Sequence, residues 1–255
     1  MNQLYQFNHP ATGCAKCPDL LPGRHHVVWS RGPTPASVMV IGEAPGYNED
    51  MQGLPFVGRA GQYADRLLHQ AGIPPKQVHF ASRIMCRPPG NRDPEPEEVR
   101  NCLPWLIEHI RLVQPRGIVL FGRFALQLFF DRDTVKDTIG LMHTQICHWC
   151  GGRDGVHTPE RGWASNGTWT SDRDSPRALR TPPAPWIRPT IEVPAGQCGM
   201  KSHPVTVASI YHPAYVARDA PEHEPTVVHQ LRRLREELEH NGITFDEEEQ
   251  DDGQS

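Results

Sequence analysis

Four short apolar runs separated by helix-periodic segments limit what this chain can fold into. The runs are Val38-Met39-Val40-Ile41, Val78 to Met85, Gly117 to Phe121 and Val205 to Ile210. Each is short enough for a buried strand and too short for an ordinary helix. Between and after them lie segments with helical spacing. Gly61 to Ala71 places Tyr63, Leu67, Leu68 and Ala71 on one side and stops at Gly72. Pro94 to Val113 carries Glu97 and Glu98 in its first turn, which suits the helix dipole. Gly122 to Phe130 has Phe, Ala and Leu at core spacing, and Thr226 to Glu239 turns Val227, Leu231, Leu234 and Leu238 inward. Strands alternating with helices predict an α/β fold: a three-layer α/β/α sandwich around a central four-stranded parallel sheet.

In such a sheet, ligands bind beyond the carboxyl ends of the strands. Three loops stand there. After Ile41 comes Gly42-Glu43-Ala44-Pro45-Gly46, then Glu49-Asp50, then a loop with Gly53, Pro55, Phe56, Gly58 and Gly61. After Met85 comes Cys86-Arg87-Pro88-Pro89-Gly90-Asn91-Arg92, a rigid basic turn, and after Ile210 comes Tyr211-His212-Pro213-Ala214-Tyr215. The glycine-rich first loop lacks both G-x-G-x-x-G and a P-loop lysine, which argues against a dinucleotide or nucleotide-phosphate enzyme.

The remaining segments divide the chain. Residues 1–37 read as an irregular arm. Residues 38–141 and 203–241 form the α/β domain. Residues 142–202, rich in Gly, Pro, Arg, Thr, Ser and Trp, are too long for a simple connection and read as an insertion. Residues 242–255 read as an acidic, disordered tail. The net charge is −4, but the last ten residues carry six carboxylates and no base, so the body ahead of them is slightly basic. That balance neither requires nor excludes a nucleic-acid partner. There is no membrane-length apolar run and no signal-like N-terminus, so a cytoplasmic monomer is expected.

Seven cysteines are an odd number, and metal ligation is a better reading than disulfides. Cys14 and Cys17 form a Cys-x2-Cys pair, with Cys86 and Cys102 further along. Four thiolates suit an iron-sulfur cluster or a zinc ion. In the insertion, Cys147 and Cys150 form a second pair that Cys198 and His203 would complete as a zinc site. Trp149, Trp163, Trp169 and Trp186 in the same segment could stack on bases or form a small core of their own.

The pieces CAKC, GEAPGYNEDMQGLPFVGRAG, CRPPGNRDPEPEEVRNC and YHPAY, in that order, closely resemble the family-four uracil-DNA glycosylases, the iron-sulfur branch of that superfamily. The resemblance covers about residues 11–141 and 204–239. It implies a monofunctional DNA glycosylase acting on DNA that contains uracil or a related damaged or modified base. By the same resemblance Cys14, Cys17, Cys86 and Cys102 hold a [4Fe-4S] cluster, which favours the cluster over zinc. Glu43 and His212 are the catalytic pair, and Ala44, Phe56, Ser82 and Glu49 line the base site. Arg87, Arg92, Tyr215 and Arg218 meet DNA. The chemistry is consistent. A base leaving a sugar takes negative charge, and donors aimed at that charge lower the barrier. A flipped base needs an aromatic face and an edge to hydrogen-bond.

One position departs from the family pattern. Where the family has an asparagine four residues before the third cluster cysteine, this chain has Ser82. A single hydroxyl cannot make the paired contact of an amide to a base edge. Arg83 beside it is expected to point to the opposite face of the strand. The alternative reading is therefore a non-catalytic or altered-specificity protein that binds DNA or modified bases on the same fold.

Overall fold

The computed structural model describes residues 13–122, 125, 142–146 and 204–245. Its strands are β1 (Ser30–Arg31), β2 (Val38–Gly42), β3 (Val78–Ser82), β4 (Gly117–Phe121), β5 (Met142–Ile146) and β6 (Pro204–Ile210). They form one sheet in the order β1-β3-β2-β4-β6-β5. The four inner strands are parallel, as the alternating pattern predicts. The sheet is wider than expected. β1 pairs antiparallel with β3, and β5 pairs antiparallel with β6, from Met142 opposite Ala208 to Ile146 opposite Pro204. The first five residues of the expected insertion thus belong to the sheet. They form an edge strand, which has no buried-run signature.

The helices are α1 (Tyr47–Gln52), α2 (Arg59–Gln70), α3 (Pro96–Val113), α4 (Pro213–Arg218) and α5 (Glu224–His240). β2, β3 and β4 are buried along their whole length. Their alternate residues feed two cores. On one face Met39, Ile41, Ala81, Ile118 and Leu120 meet Val99, Leu106 and Ile110 of α3. On the other Val38, Val40, Phe80, Val119 and Phe121 meet Leu67 and Leu68 of α2 and Val227, Leu231, Leu234 and Leu238 of α5. This is the three-layer arrangement, with apolar strands sandwiched because helices cover both sides. α3 starts on a reciprocal cap: Pro96 takes the first turn, and the Glu98 carboxylate accepts the Glu95 amide at 2.8 Å. No helix among the described residues is long and apolar enough to cross a membrane. The expected helix Gly122–Phe130 falls largely outside the described residues, as do the acidic tail from 246 onward and the insertion from 147 to 203.

His79 of β3 is 1% exposed and donates from Nδ1 to the Pro33 carbonyl at 2.9 Å, with the His109 ring 6.4 Å away. Burial, opposed only by that carbonyl, pushes its pKa from 6.5 down to about 4. Between those two values the unfolded chain binds a proton that the folded chain refuses. Stability therefore falls as pH drops through that window, by on the order of 3 kcal/mol at most from this one group. The urea midpoint should be lower at about pH 4.5 than at pH 7, and His79→Leu should flatten part of that slope. An unchanged slope would refute the assignment.

Candidate active site at the carboxyl edge of the sheet

The parallel register sets Gly42 opposite Ser82 at the ends of β2 and β3, with Phe121 and Ile210 ending β4 and β6 on the same edge. Side chains alternate along a strand, so Gly42, Phe80, Ser82 and Phe121 share the face toward α2 and α5. Phe56 lies over that face. Its ring centroid is 5.1 Å from Phe80 and 6.1 Å from Phe121, tilted 49° and 46°. A Cβ on Gly42 would come within 2.6 Å of the tip of the Phe56 ring, and one on Gly61 within 1.9 Å of the Phe56 carbonyl oxygen. Glycine at both positions is what lets this loop sit on the strand end. The aromatic thus packs on the core cluster while remaining partly exposed.

The backbone at Phe56 is left-handed, φ 57°. An aromatic residue adopts this conformation only where its surroundings over-determine it, and such outliers gather at functional sites. Arg31 supplies much of that constraint. Its Nε donates to the Pro55 carbonyl at 3.0 Å and its Nη2 to the Phe56 carbonyl at 3.4 Å. The same guanidinium holds Asp65 at 2.8 and 2.9 Å and lies 3.8 Å over the Phe80 ring. Sequence reasoning missed Arg31. It sits in a two-residue strand inside an irregular arm, with no local signal of its role.

Glu49 ties the loop closed. Its Oε1 accepts the Gly58 amide at 2.7 Å and its Oε2 the Gly46 amide at 3.1 Å. These contacts hold the loop that borders the base site implied by the resemblance. Asp50 is fully buried and accepts the His25 amide at 3.0 Å, the His26 amide at 3.2 Å and the His25 ring at 2.7 Å. Burial alone would raise its pKa. The His25 ring and the two amides outweigh that and hold the carboxyl below its ordinary value. The N-terminal arm is thereby pinned to α1.

Glu43 and Ala44 are partly buried just past β2, with the Glu43 carbonyl accepting the Ile84 amide at 3.2 Å. Arg83 is 3% exposed. Burial lowers its pKa to about 10, and the negative charge of Glu43 works against that shift. A buried cation therefore acts electrostatically on the candidate catalytic carboxylate, a coupling that spacing alone did not reveal. Ser82 is 3% exposed and faces the Phe56 side of the sheet.

His212 caps α4. Its Nδ1 accepts the Ala214 amide at 3.1 Å, so the ring proton is assigned to Nε2. Burial pushes its pKa down to about 4, and the ring is neutral near pH 7. The structure thus brings a neutral imidazole N–H donor, Phe56, Ser82 and Glu43 to one edge of the sheet. Beyond His212, Tyr211 stacks on His223 with centroids 4.5 Å apart, and Tyr215 stands 5.7 Å from Tyr211 and 39% exposed.

The expected DNA-contacting arginines differ in their surroundings. Arg92 is committed to the buried Glu98, donating at 2.6 and 3.0 Å, which fixes the start of α3. Arg218 pairs with the adjacent Asp219 at 2.7 Å in solvent. Arg87 donates to the Asn91 side chain at 2.7 Å.

Cys14, Cys17, Cys86 and Cys102 are free thiols, the last two buried. Burial pushes the Cys17, Cys86 and Cys102 thiols up, Cys102 to about 12, and neighbouring cysteines of the set add to each rise. The four therefore lie within electrostatic reach of one another, though among the described residues no three His, Cys, Asp or Glu side chains stand close enough to hold a single metal ion. Two donors face these sulfurs: Arg24 toward Cys86 and Asn101 toward Cys17, each at 3.6 Å. Donors to sulfur suit thiolates ligating a cluster. Four thiols with donors toward two of them are a ligand set that fits an iron-sulfur cluster. The second expected set, Cys147, Cys150, Cys198 and His203, lies outside the described residues.

Comparisons with known proteins point to one superfamily. The description "Uracil DNA glycosylase superfamily" matches residues 29–235. The chain is 41% identical over 131 residues to a type-4 uracil-DNA glycosylase of Archaeoglobus fulgidus, covering 51% of this chain and 65% of the relative. It is 44% identical over 128 residues to one of Pyrobaculum aerophilum, covering 50% and 65%. It is 37% identical over 145 residues to one of Thermotoga maritima, covering 57% and 74%. The match thus spans just under two thirds of the length of the Archaeoglobus and Pyrobaculum relatives. With a family match across most of its length and a strand-end site built around Phe56 and His212, the chain belongs to the uracil DNA glycosylase superfamily.

Proposed function

We propose that this protein is a monofunctional DNA glycosylase that hydrolyses the N-glycosidic bond of uracil or a related base flipped from DNA. The observation that carries the reading is Phe56, forced into a left-handed backbone over Gly42 and held there by Arg31. That geometry sets out an aromatic face at a strand end, at a cost that core packing alone does not explain. A base entering the site would stack on Phe56. The neutral Nε2–H of His212 would donate to a base carbonyl as negative charge grows there, and Glu43, beside the buried charge of Arg83, would orient the water attacking C1′. The bond to the base breaks, the base leaves as an anion, and the Glu43 carboxylate takes the water proton as the new C–O bond forms. No lysine stands in these loops to form a Schiff base, so the product is an abasic site.

Cys14, Cys17, Cys86 and Cys102 would hold a [4Fe-4S] cluster whose part is structural: it ties the arm and the Arg87 loop to the sheet. A zinc ion on Cys147, Cys150, Cys198 and His203 remains a second proposal, resting on sequence spacing.

Ser82 favours a second reading of specificity, namely that a base other than uracil is preferred. Its hydroxyl sits buried where a longer amide would reach a base edge. The deciding experiment is an excision assay on oligonucleotides carrying uracil, hypoxanthine, xanthine or modified pyrimidines, with wild type and Ser82→Asn. Alkali-labile product from uracil, raised at least about tenfold by Ser82→Asn, is the expected outcome. Intact DNA across the whole panel at high protein concentration would leave a base-binding protein in place of a glycosylase.

A further inference from the structure

α1 runs out of the pocket loop with one side bare. Tyr47 is 56% exposed and Met51 43%. Four residues apart, they share a helix face. Arg87, from the loop after β3, places its guanidinium carbon 5.2 Å from the centre of the Tyr47 ring. Its Nε donates to Asn91, and among the described residues no carboxylate lies within ion-pair distance of it. Arg31, Arg92 and Arg218 are each matched by an acid. Single exposed apolar side chains need no explanation. Here an aromatic and a thioether stand side by side, backed by a cation that no described carboxylate pairs with, a few residues beyond Gly42 at the mouth of the site.

A wet aromatic face with an adjacent positive charge complements a ligand with a flat ring and a neighbouring anion, as a nucleotide in a strand has. We infer that Tyr47 is a stacking platform for the nucleotide next to the one that enters the pocket, with Arg87 on the adjoining phosphate. The inference rests on the DNA reading above and adds to it a subsite that reads strand geometry. A ring that captures an unstacked neighbour favours single-stranded or locally opened DNA over intact duplex. Tyr215, in α4 beyond the end of β6, lies past a strand that ends two strands away from β2.

The test uses the full chain and oligonucleotides with 2-aminopurine on either side of a 2′-fluorinated deoxyuridine, which resists cleavage. Wild type should bind and quench the 2-aminopurine on one side. Tyr47→Ala should bind about tenfold more weakly and lose the quench. Tyr47→Phe should restore both, and Arg87→Gln should lower the salt dependence of binding by about one phosphate contact. Equal quench and affinity in Tyr47→Ala overturn the inference. So does failure of the wild type to bind, or a Tyr47→Ala defect confined to self-association. Excision is scored separately on cleavable uracil DNA. Binding and Tyr47-dependent quench without product would overturn the glycosylase reading and leave this one standing, and normal excision with a Tyr47-independent quench would do the reverse.

Discussion

His212→Ala should slow single-turnover excision of uracil by about 10²- to 10³-fold, the loss seen when one donor to a developing anion is removed. The imidazole has two ring nitrogens with separate tasks. Nδ1 accepts the Ala214 amide and caps α4, leaving Nε2–H as the donor. Alanine removes both, and the lost cap alone should cost about 1 kcal/mol of stability. His212→Asn separates the two effects. Asparagine is a good cap, so stability should be kept while most of the rate is still lost, because the amide donor does not reach where Nε2–H stands. A rate within threefold of wild type in both variants would exclude His212 from the chemistry. The pH profile adds an independent check. With a pKa near 4, His212 stays neutral above about pH 5. Its contribution should therefore be flat from about pH 5 to about pH 8 and fall only toward pH 4, where protonated Nδ1 can no longer accept the Ala214 amide. Activity that declines as pH rises through about 6.5 would instead mean a charged imidazolium.

What the sequence disclosed and what it hid follow from the same physics. Strands buried on both faces must be apolar throughout, so Val38 to Ile41 and Gly117 to Phe121 were legible on sight. α5 shows its inward stripe of Val227, Leu231, Leu234 and Leu238 because only one side meets the sheet. Edge strands carry no such mark, and β1 and β5 were invisible for that reason. α1 was missed because its outer side keeps Tyr47 and Met51 in water, which erases helical patterning. α4 was read as a loop although its signals were present: His212 as cap and Pro213 at the first position. In the site, Glu43, Phe56 and His212 stood out because they sit in recognisable loops. Arg31 and Arg83 did not, because their roles arise from contacts across tens of residues, to Phe56 and to Glu43. Arginine in a basic turn says nothing of its partner either: Arg92 reads as a phosphate contact until Glu98 is seen gripping it.

The cysteine set makes the other large prediction. Cys102→Ala should yield protein without iron or sulfide, without the broad visible absorption of an iron-sulfur centre, and with a melting temperature lower by about 10 °C or more, on the order of 4 kcal/mol for a chain this size. The reason is where the ligands lie. Cys102 is on α3, Cys86 opens the basic turn after β3, and Cys14 and Cys17 are in the arm, so a shared group would tie three segments together. The arm has other anchors: the Val28 amide on the Met85 carbonyl at 2.7 Å, the Asn101 side-chain amide on the Lys16 carbonyl at 2.9 Å, and the histidine pair on Asp50. These should keep β1 and Arg31 in place, so the variant is expected to retain its sheet and to lose the order of the Arg87 turn first. Loss of one small buried side chain from an otherwise intact core would cost only about 1 kcal/mol. A shift of that size, with the metal content of the wild type unchanged, would show that Cys102 is a packing residue and that the other three thiols ligate without it. Zinc found in place of iron and sulfide would assign the set to a single ion.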